Sequence, residues 1–531
     1  MSGFEADIIV VGGGSAGAAM TGRLSQDGRF SVLLLEAGRS DRHPFTRIPA
    51  ANIKAVQNPA FDWRHQAEPD DTIGGRAEVW AAAKVLGGGS AINGMMFIRG
   101  HRWDYDHWAE LGARGWDYQS VLPYFRRLET NERGSDAYRG GDGPQHVSEV
   151  RANYALTDNW IRAAVEAGIP RSPDLNGAEA EGVDRVQVTQ RKGWRHSSAA
   201  AYLWDAPKRK NLRIELNAEV TRILFEDGRA VGVLFERAGT TMLARARRGV
   251  VLSAGTINSA RLLLLSGVGP ADELAPLGIK AWCNVPGVGR NLQDHVGTHV
   301  AMGVTRSTLN VETSGLRGLA HMANFFLRGR GALTTPIGHA QAFIRTRQGL
   351  AAPNVQLSFA PLAFGHDAHG RIELLKEPAV STMIGVMRPK SRGGVTLRTA
   401  DFRDRVVIRY RQLADEDDAA QLIEGIAVAR SIFRQPSFAA LVTREIAPGL
   451  GTPLRDYLHR AAISLYHQVG TCRMGEDSDA VVDSDLRVRG IDGLWVADAS
   501  IMPSQPAGNT NATAIMIGDK GADHVIKTMG L

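Results

Sequence analysis

The sequence predicts an α/β protein. A nucleotide-binding domain, assembled from separated stretches of chain around a parallel sheet, stands beside a second domain whose sheet is mainly antiparallel and covered by helices. Three observations carry this expectation. A glycine-rich turn, Gly12-Gly13-Gly14-Ser15-Ala16-Gly17, directly follows the apolar run Asp7-Ile8-Ile9-Val10-Val11. Strand–glycine–helix signals recur far along the chain, at Gly249-Val250-Val251-Leu252-Ser253-Ala254-Gly255-Thr256 and at Leu494-Trp495-Val496-Ala497-Asp498. Between these lie alternating stretches at 354–359 and 394–398, suited to a sheet with one wet face, and a helically spaced apolar pattern at 419–433.

The first element is a short buried strand of mostly β-branched residues ending at Val11. Gly12 permits the tight turn, Gly14 lets the backbone approach a pyrophosphate, and Gly17 lets the following helix pack close to the strand. The helix opening near Ser15 turns free N–H groups and its positive dipole end toward the phosphates. A second strand at 32–35 ends at Glu36, nineteen positions after Gly17. A carboxylate there accepts from ribose hydroxyls and repels a 2′-phosphate, which disfavours NADP. Glycine-rich turns without a ligand are common. The strand before this one, the helix after it and the acid at the right distance favour a dinucleotide. The motif alone leaves FAD and NAD open.

A length of 531 residues accommodates two or more cores. Hydrophobic content of 44% and charged content of 22% describe an ordinary globular chain. The net charge of +6 is a mild excess at this length, and the longest basic run, Lys208-Arg209-Lys210, reads as a solvated loop rather than a nucleic-acid patch. Two cysteines, Cys283 and Cys472, argue against a disulfide framework and a cysteine metal site, so no metal is expected. The first strand begins too early for a signal segment to precede it, and no apolar stretch reaches the ~18 residues of a membrane helix. A cytoplasmic location is the expectation.

Several further segments resemble the glucose–methanol–choline (GMC) family of FAD oxidoreductases, in its choline dehydrogenase and alcohol oxidase-like branch. Gly12 through Gly17 with Glu36 matches the family's nucleotide fingerprint. Residues 83–106, with Gly87-Gly88-Gly89-Ser90, Asn93 and Gly100, are similar to its first signature. Gly255-Thr256-Ile257-Asn258-Ser259 with Ser266-Gly267-Val268-Gly269 is similar to the second, departing at Ala260, where proline or serine is usual. Residues 286–295 match another family segment, Tyr466 through Gly475 the histidine region, and Ala497 through Ser500 with Pro503 through Asn511 the C-terminal segment.

The resemblance implies a discontinuous Rossmann-like FAD domain from 1–155, 200–305 and 460–531, and a substrate domain from 156–199 and 306–459. It places Glu36 with Ala37 at the adenosine ribose and the main chain of Val220 at the adenine. Asp498 and Ala499 fall at the pyrophosphate and ribityl region. Asn93 and Gly94 fall against the isoalloxazine, and Ser15, Ala16, Gly88, Ser90, Met95, Asn509, Thr510 and Asn511 join the cofactor-binding set. Some relatives attach FAD through a histidine just before the asparagine; Ile92 stands there, so FAD is expected to be noncovalent.

The implied chemistry is oxidation of an alcohol, with hydride passing to flavin N5 and a proton leaving the hydroxyl. A base within hydrogen-bond reach lowers that barrier, and histidine suits the task because its pKa lies near operating pH. By motif the base is His467, and Asn509 is the donor to the developing alkoxide. Asn509 or Asn511 could instead cap the helix that follows, and His295 is the runner-up for the base, its segment being expected to build a turn against the cofactor. His339 stands where similar family members often carry glutamate. Losing that anion disfavours choline and favours an uncharged primary or aryl alcohol or a polyol. Tyr466, Met96, His339 and Phe359 are the expected pocket residues. Dioxygen and a quinone-like acceptor both remain open. An NAD dehydrogenase would explain only the first fingerprint, and a hydroxynitrile-lyase-like enzyme on the same fold is the alternative function.

Overall fold

The computed structural model describes residues 3–312, 315–366 and 372–530. Two seven-stranded sheets organise it. The first is built around Phe4–Val11, whose Ile8, Ile9 and Val10 are fully buried. Parallel neighbours flank this strand, Val32–Glu36 on one side and the long Thr240–Leu252 on the other. Leu212–Leu216 extends the sheet beyond Val32–Glu36, and Leu494–Val496 pairs parallel with the end of Thr240–Leu252. This sheet is thus completed by strands far apart in the sequence. The other half of Thr240–Leu252 continues into an antiparallel meander with Arg229–Arg237 and Glu219–Glu226. Asp227 and Gly228 close the outer hairpin at φ 47° and 79°, the backbone that two-residue hairpin turns require.

Five helices recur below: α1 (Ser15–Asp27), α2 (Ala155–Glu166), α3 (Gly315–Arg328), α4 (Glu416–Phe433) and α5 (Asn511–Thr528). Helices α1 and α5 touch backbone to backbone, since a Cβ at Gly518 would fall 2.1 Å from the Ala16 carbonyl oxygen. Helix α4 begins before its apolar pattern because Asp415 caps it, accepting from the Asp417 N–H.

The second sheet is antiparallel, in the order Val442–Ala447, Val296–Val304, Ala379–Val386, Val355–Ala360, Ala340–Ile344, Gly182–Arg185, with Ile463–Ser464 paired onto Val296–Val304. One face presents Val300, Ala342, Leu357, Phe359 and Ile384 to Leu156, Trp160 and Ile161 of α2 and to Leu422, Ile426 and Ala429 of α4. Two expectations change here. Strands Val296–Val304 and Ile463–Ser464, inside the segments assigned to the nucleotide domain, pair in the second sheet, because each continues its ladder. The opposite face is not wet: Gln341 is fully buried and Gln356 nearly so, because this face closes over the C-terminal segment of the chain. The stretch near 394–398 forms a separate ribbon, Gly393–Thr396 with Val407–Tyr410.

Candidate active site

The two glycine signatures lie back to back. Gly12, at φ 95°, donates its N–H to the Leu35 carbonyl. A Cβ at Gly17 would fall 1.9 Å from the Gly12 oxygen, and one at Gly88 would fall 2.6 Å from the Gly14 Cα. These contacts are with backbone, so no rotamer relieves them. Glu36 sits behind the turn, its two oxygens accepting from the N–H groups of Gly13 (2.7 Å) and Gly38 (2.6 Å), and burial raises its pKa. The Ala218 N–H bonds the Glu36 carbonyl, so the chain meets the Glu36–Ala37 turn two residues before Val220, which opens an edge strand.

The C-terminal segment is tied into this cradle. Ser15 Oγ donates to Asn511 Oδ1 at 2.7 Å, so the N-termini of α1 and α5 meet. Gly14 and Thr510 are the capping positions of these helices and neither contributes a side-chain cap. The capping alternatives for Asn509 and Asn511 are therefore overturned, and the leading N–H groups of both helices are left to other acceptors. Asp498 Oδ2 accepts from the Gly255 N–H (2.9 Å) and Ser259 Oγ (2.6 Å), and Oδ1 from the Ser500 N–H (2.8 Å). Its carboxylate clamps two loops beside Ala499 and retains one acceptor position. Ser90 is a similar stitch, donating to the Gly87 carbonyl and accepting from the Ser198 N–H.

Asn93 Oδ1 accepts from the Met95 N–H and from Arg195, whose guanidinium also donates to the Ser90 and Asn93 carbonyls. Met95 has φ 64° and a buried side chain packed with Val150, Val186 and Val188, so it offers the site its main chain. Gly94 faces Ile337, and Ile92 turns into an apolar cluster with Ala55, Phe61 and Val85. The glycine cradle, the uncapped helix starts and the buried carboxylate fit FAD. The pyrophosphate would lie on Gly12 through Gly17 and the N-terminus of α1, and the ring system along Asn93 through Met95.

His467 occupies the centre of a directed hydrogen-bond chain. His295 Nε2 lies 2.9 Å from the Met387 carbonyl oxygen, which only accepts, so the hydrogen is on Nε2. Burial holds His295 well below the usual imidazole pKa, so it is neutral and its Nδ1 carries a lone pair. That lone pair is 2.9 Å from His467 Nδ1, which must therefore donate. His467 Nε2 is left unprotonated, and its lone pair accepts from the Asn509 amide nitrogen at 3.2 Å. Asn509 is oriented in turn: its Oδ1 accepts from the amides of Gln341 (3.2 Å) and Gln356 (3.4 Å). Gln505 donates to the His467 carbonyl, and Asp294 accepts the His467 N–H at 2.8 Å. Burial pushes Asp294 up to about 7 and His467 down to about 4. The expectation of a base near neutral pKa is thus corrected by desolvation of the imidazolium.

The expected pocket residues divide. Met96 Sδ accepts from Gln341 and lies beside Asn509. Tyr466 is 37% exposed at φ 60°, with its phenol pushed up to about 12 by burial. Phe359 is overturned as a pocket wall: it stacks on Trp160 on the helix-covered face, because strand alternation turns Gln356 and Ser358 inward instead. His339 is fully buried; its ring lies edge-to-face on Tyr154 and burial lowers it to about 3. His295, the runner-up for the base, is the hydrogen-bond partner of His467, and its segment turns at residues 286–289. Gln341, Gln356, Gln505 and Met387 were not anticipated, although a lone glutamine in each of two largely apolar strands, at 341 and 356, was a visible signal.

The chain matches the GMC oxidoreductase family over residues 6–297 and 389–518. It is 40% identical to an oxygen-dependent choline dehydrogenase of Brucella anthropi and 39% identical to one of Sinorhizobium medicae, in each case over 98% of this chain and 96% of the relative. Among solved structures it is similar to pyridoxine 4-oxidase from Mesorbium loti (TM-score 0.88, 30% identity, 97% of this chain and 98% of that one). It is also similar to a formate oxidase of Aspergillus oryzae (TM-score 0.91, 25% identity, 100% and 99%). Likeness of this extent, over a fold whose glycine turns and C-terminal histidine meet as described, shows that the chain belongs to the GMC oxidoreductases, FAD-dependent enzymes acting on CH–OH donors.

Proposed function

We propose that the protein oxidises an uncharged primary alcohol, aryl alcohol or polyol to its carbonyl, with His467 as base, Asn509 as oxyanion donor and noncovalently held FAD. The observation that carries this reading is the unprotonated Nε2 of His467, fixed by the chain Met387–His295–His467 and facing the Asn509 amide. FAD, when bound, supplies the two-electron acceptor for the substrate hydride. His467 Nε2 takes the hydroxyl proton, while its Nδ1–H stays bonded to His295 and orients the ring. Asn509 Nδ2 donates to the oxygen as charge grows there, held in that orientation by Gln341 and Gln356. Glu36 and Ala37 serve the ribose, and Val220, through its main chain, serves the adenine. The electrons pass on to dioxygen or a quinone-like acceptor.

The substrate class follows from the wall beside Asn509. Gln341, Gln356, Ser358 and Met96 are uncharged, and His339 is a buried neutral imidazole whose nitrogens have no hydrogen-bond partner among the described residues. A quaternary ammonium needs an anion or several aromatic faces. The choline dehydrogenase relatives favour choline as a second reading.

Anaerobic mixing with a panel of alcohols separates the two: benzyl alcohol or a polyol reduces the flavin faster than choline does. His467→Ala leaves a yellow protein in which that reduction slows ~10²–10⁴-fold; an unchanged rate would remove His467 from the mechanism. His295→Ala leaves the His467 Nδ1–H without its acceptor and slows reduction about 10–100-fold, the size of an unmet buried hydrogen bond. Because burial depresses His467, its base form persists above its folded pKa and is lost as pH falls through about 4. The reduction rate is therefore level from neutral to mildly acidic pH and declines only in that acid range; a midpoint near the ordinary histidine value would contradict the burial argument. With Ile92 turned into the core, acid precipitation releases the flavin to the supernatant, and a yellow pellet would indicate a covalent bond.

A further inference from the structure

Helix α3 is built inside out. Its inner side carries Phe325, fully buried against Trp194, with Asn324 and His321 turned toward Gly331. Its outer side carries Leu319, Met322, Phe326 and Leu327, which are 62%, 48%, 59% and 83% exposed, with Ala320 and Ala323 exposed between them. The spacing i, i+3, i+4, i+7, i+8 makes this one continuous apolar stripe facing away from the protein, the reverse of an ordinary surface helix.

Cations surround the stripe. Arg317, Arg328 and Arg330 are exposed on the segment itself. Arg191 and Lys192 are exposed on a hairpin whose tip, Gly193, meets the Gly329 backbone. None of the five makes an ion pair among the described residues. The one acid in residues 305–331, Glu312, accepts from Tyr154 and faces His321. No helix among the described residues is long and apolar enough to cross a membrane.

We propose that this face docks on a bilayer surface carrying anionic headgroups, with the four large apolar side chains in the headgroup–acyl boundary and the five cations on lipid phosphates. A second copy is the poorer occupant, because two-fold pairing of the stripe would set each cationic collar against the other. The docked face borders the candidate site. The chain leaves α3 for the turn Ala332–Thr334, where the Thr334 carbonyl accepts from Gln190, and reaches Ile337, which is 47% exposed and packs on Gly94. Resting on the reading above, the acceptor fitting this placement is a lipid-soluble quinone. The alcohol loses two electrons and two protons to become the carbonyl, and the quinone gains them to become the quinol.

The test is flotation of the flavin-loaded full chain with phosphatidylcholine vesicles, with or without phosphatidylglycerol, in low and high salt. Binding to the anionic vesicles that weakens with salt is expected. The triple variant Leu319→Ser, Phe326→Ser, Leu327→Ser and the double variant Arg328→Glu, Arg330→Glu should each lose about tenfold or more in apparent affinity. Both should stay yellow and retain alcohol-driven reduction of a soluble dye. Absence of wild-type binding, or binding unaltered in the triple variant, overturns the proposal. So does a concentration-dependent dimer that the triple variant abolishes without any vesicle binding. Dye reduction is scored separately, so its failure counts against the alcohol-oxidation reading and leaves the docking result standing.

Discussion

The candidate site depends on one atom that can act in only one way. The Met387 carbonyl oxygen accepts and never donates, which fixes the hydrogen of His295 on Nε2. The direction then passes through the pair of Nδ1 atoms and emerges at His467 Nε2 as a lone pair. Burial enforces this order, because a second proton on either ring would put a charge where desolvation opposes it. A histidine with the same position but a free choice of tautomer would present the wrong nitrogen part of the time.

The members of this chain come from parts of the fold that share no local sequence. His295 lies just before Val296–Val304, Met387 just after Ala379–Val386, and these two strands pair directly. The second sheet therefore sets the distance from the carbonyl to the first imidazole. His467 follows Ile463–Ser464, which pairs with the same Val296–Val304 strand. Asn509 comes from the loop ahead of α5, whose N-terminus is tied to α1 through Ser15 and Asn511. Base and donor thus belong to the two halves of the molecule, and the amides of Gln341 and Gln356 join them by gripping Asn509 from the second sheet.

The sequence was most legible where a residue type has few physical uses. A glycine at Gly17 admits one explanation, the closeness of helix and strand, and the structure has it. His467 and Asn509 were reachable by motif, and they are found within hydrogen-bond distance. What alternation alone could not decide was which face of a strand looks inward. Phe359 was assigned to the pocket because it is large and aromatic, yet its neighbours Gln356 and Ser358 occupy the inner side. Polar residues on that face do not signal solvent when the other half of the protein covers them. Nor could any local pattern reveal that His295 and His467, so far apart in sequence, share a hydrogen bond: that contact exists only once the strands pair.

The charge distribution around the site follows from the same economy. The imidazoles are neutral, and the residues beside Asn509 are amides, a thioether and a hydroxyl. The permanent positive charge lies behind the Asn93 loop. Arg195 is almost fully buried, has no carboxylate within ion-pair distance among the described residues, and is lowered by burial to about 9, so it stays charged at neutral pH. Its two terminal nitrogens donate to the Ser90 and Asn93 carbonyls and to Asn93 Oδ1, while its Nε has no partner among the described residues, and its charge stays uncancelled in a low-dielectric region. The adjoining starts of α1 and α5 add positive dipole ends on the same side. Such a field favours an electron-rich group along the Asn93 loop. With His467 and His295 neutral, it is not offset by any anion of the hydrogen-bond chain except Asp294, whose own burial holds it near the point of protonation. Proton acceptance at His467, which burial opposes, and accumulation of electrons beside Asn93, which the Arg195 charge favours, are thereby separated in space.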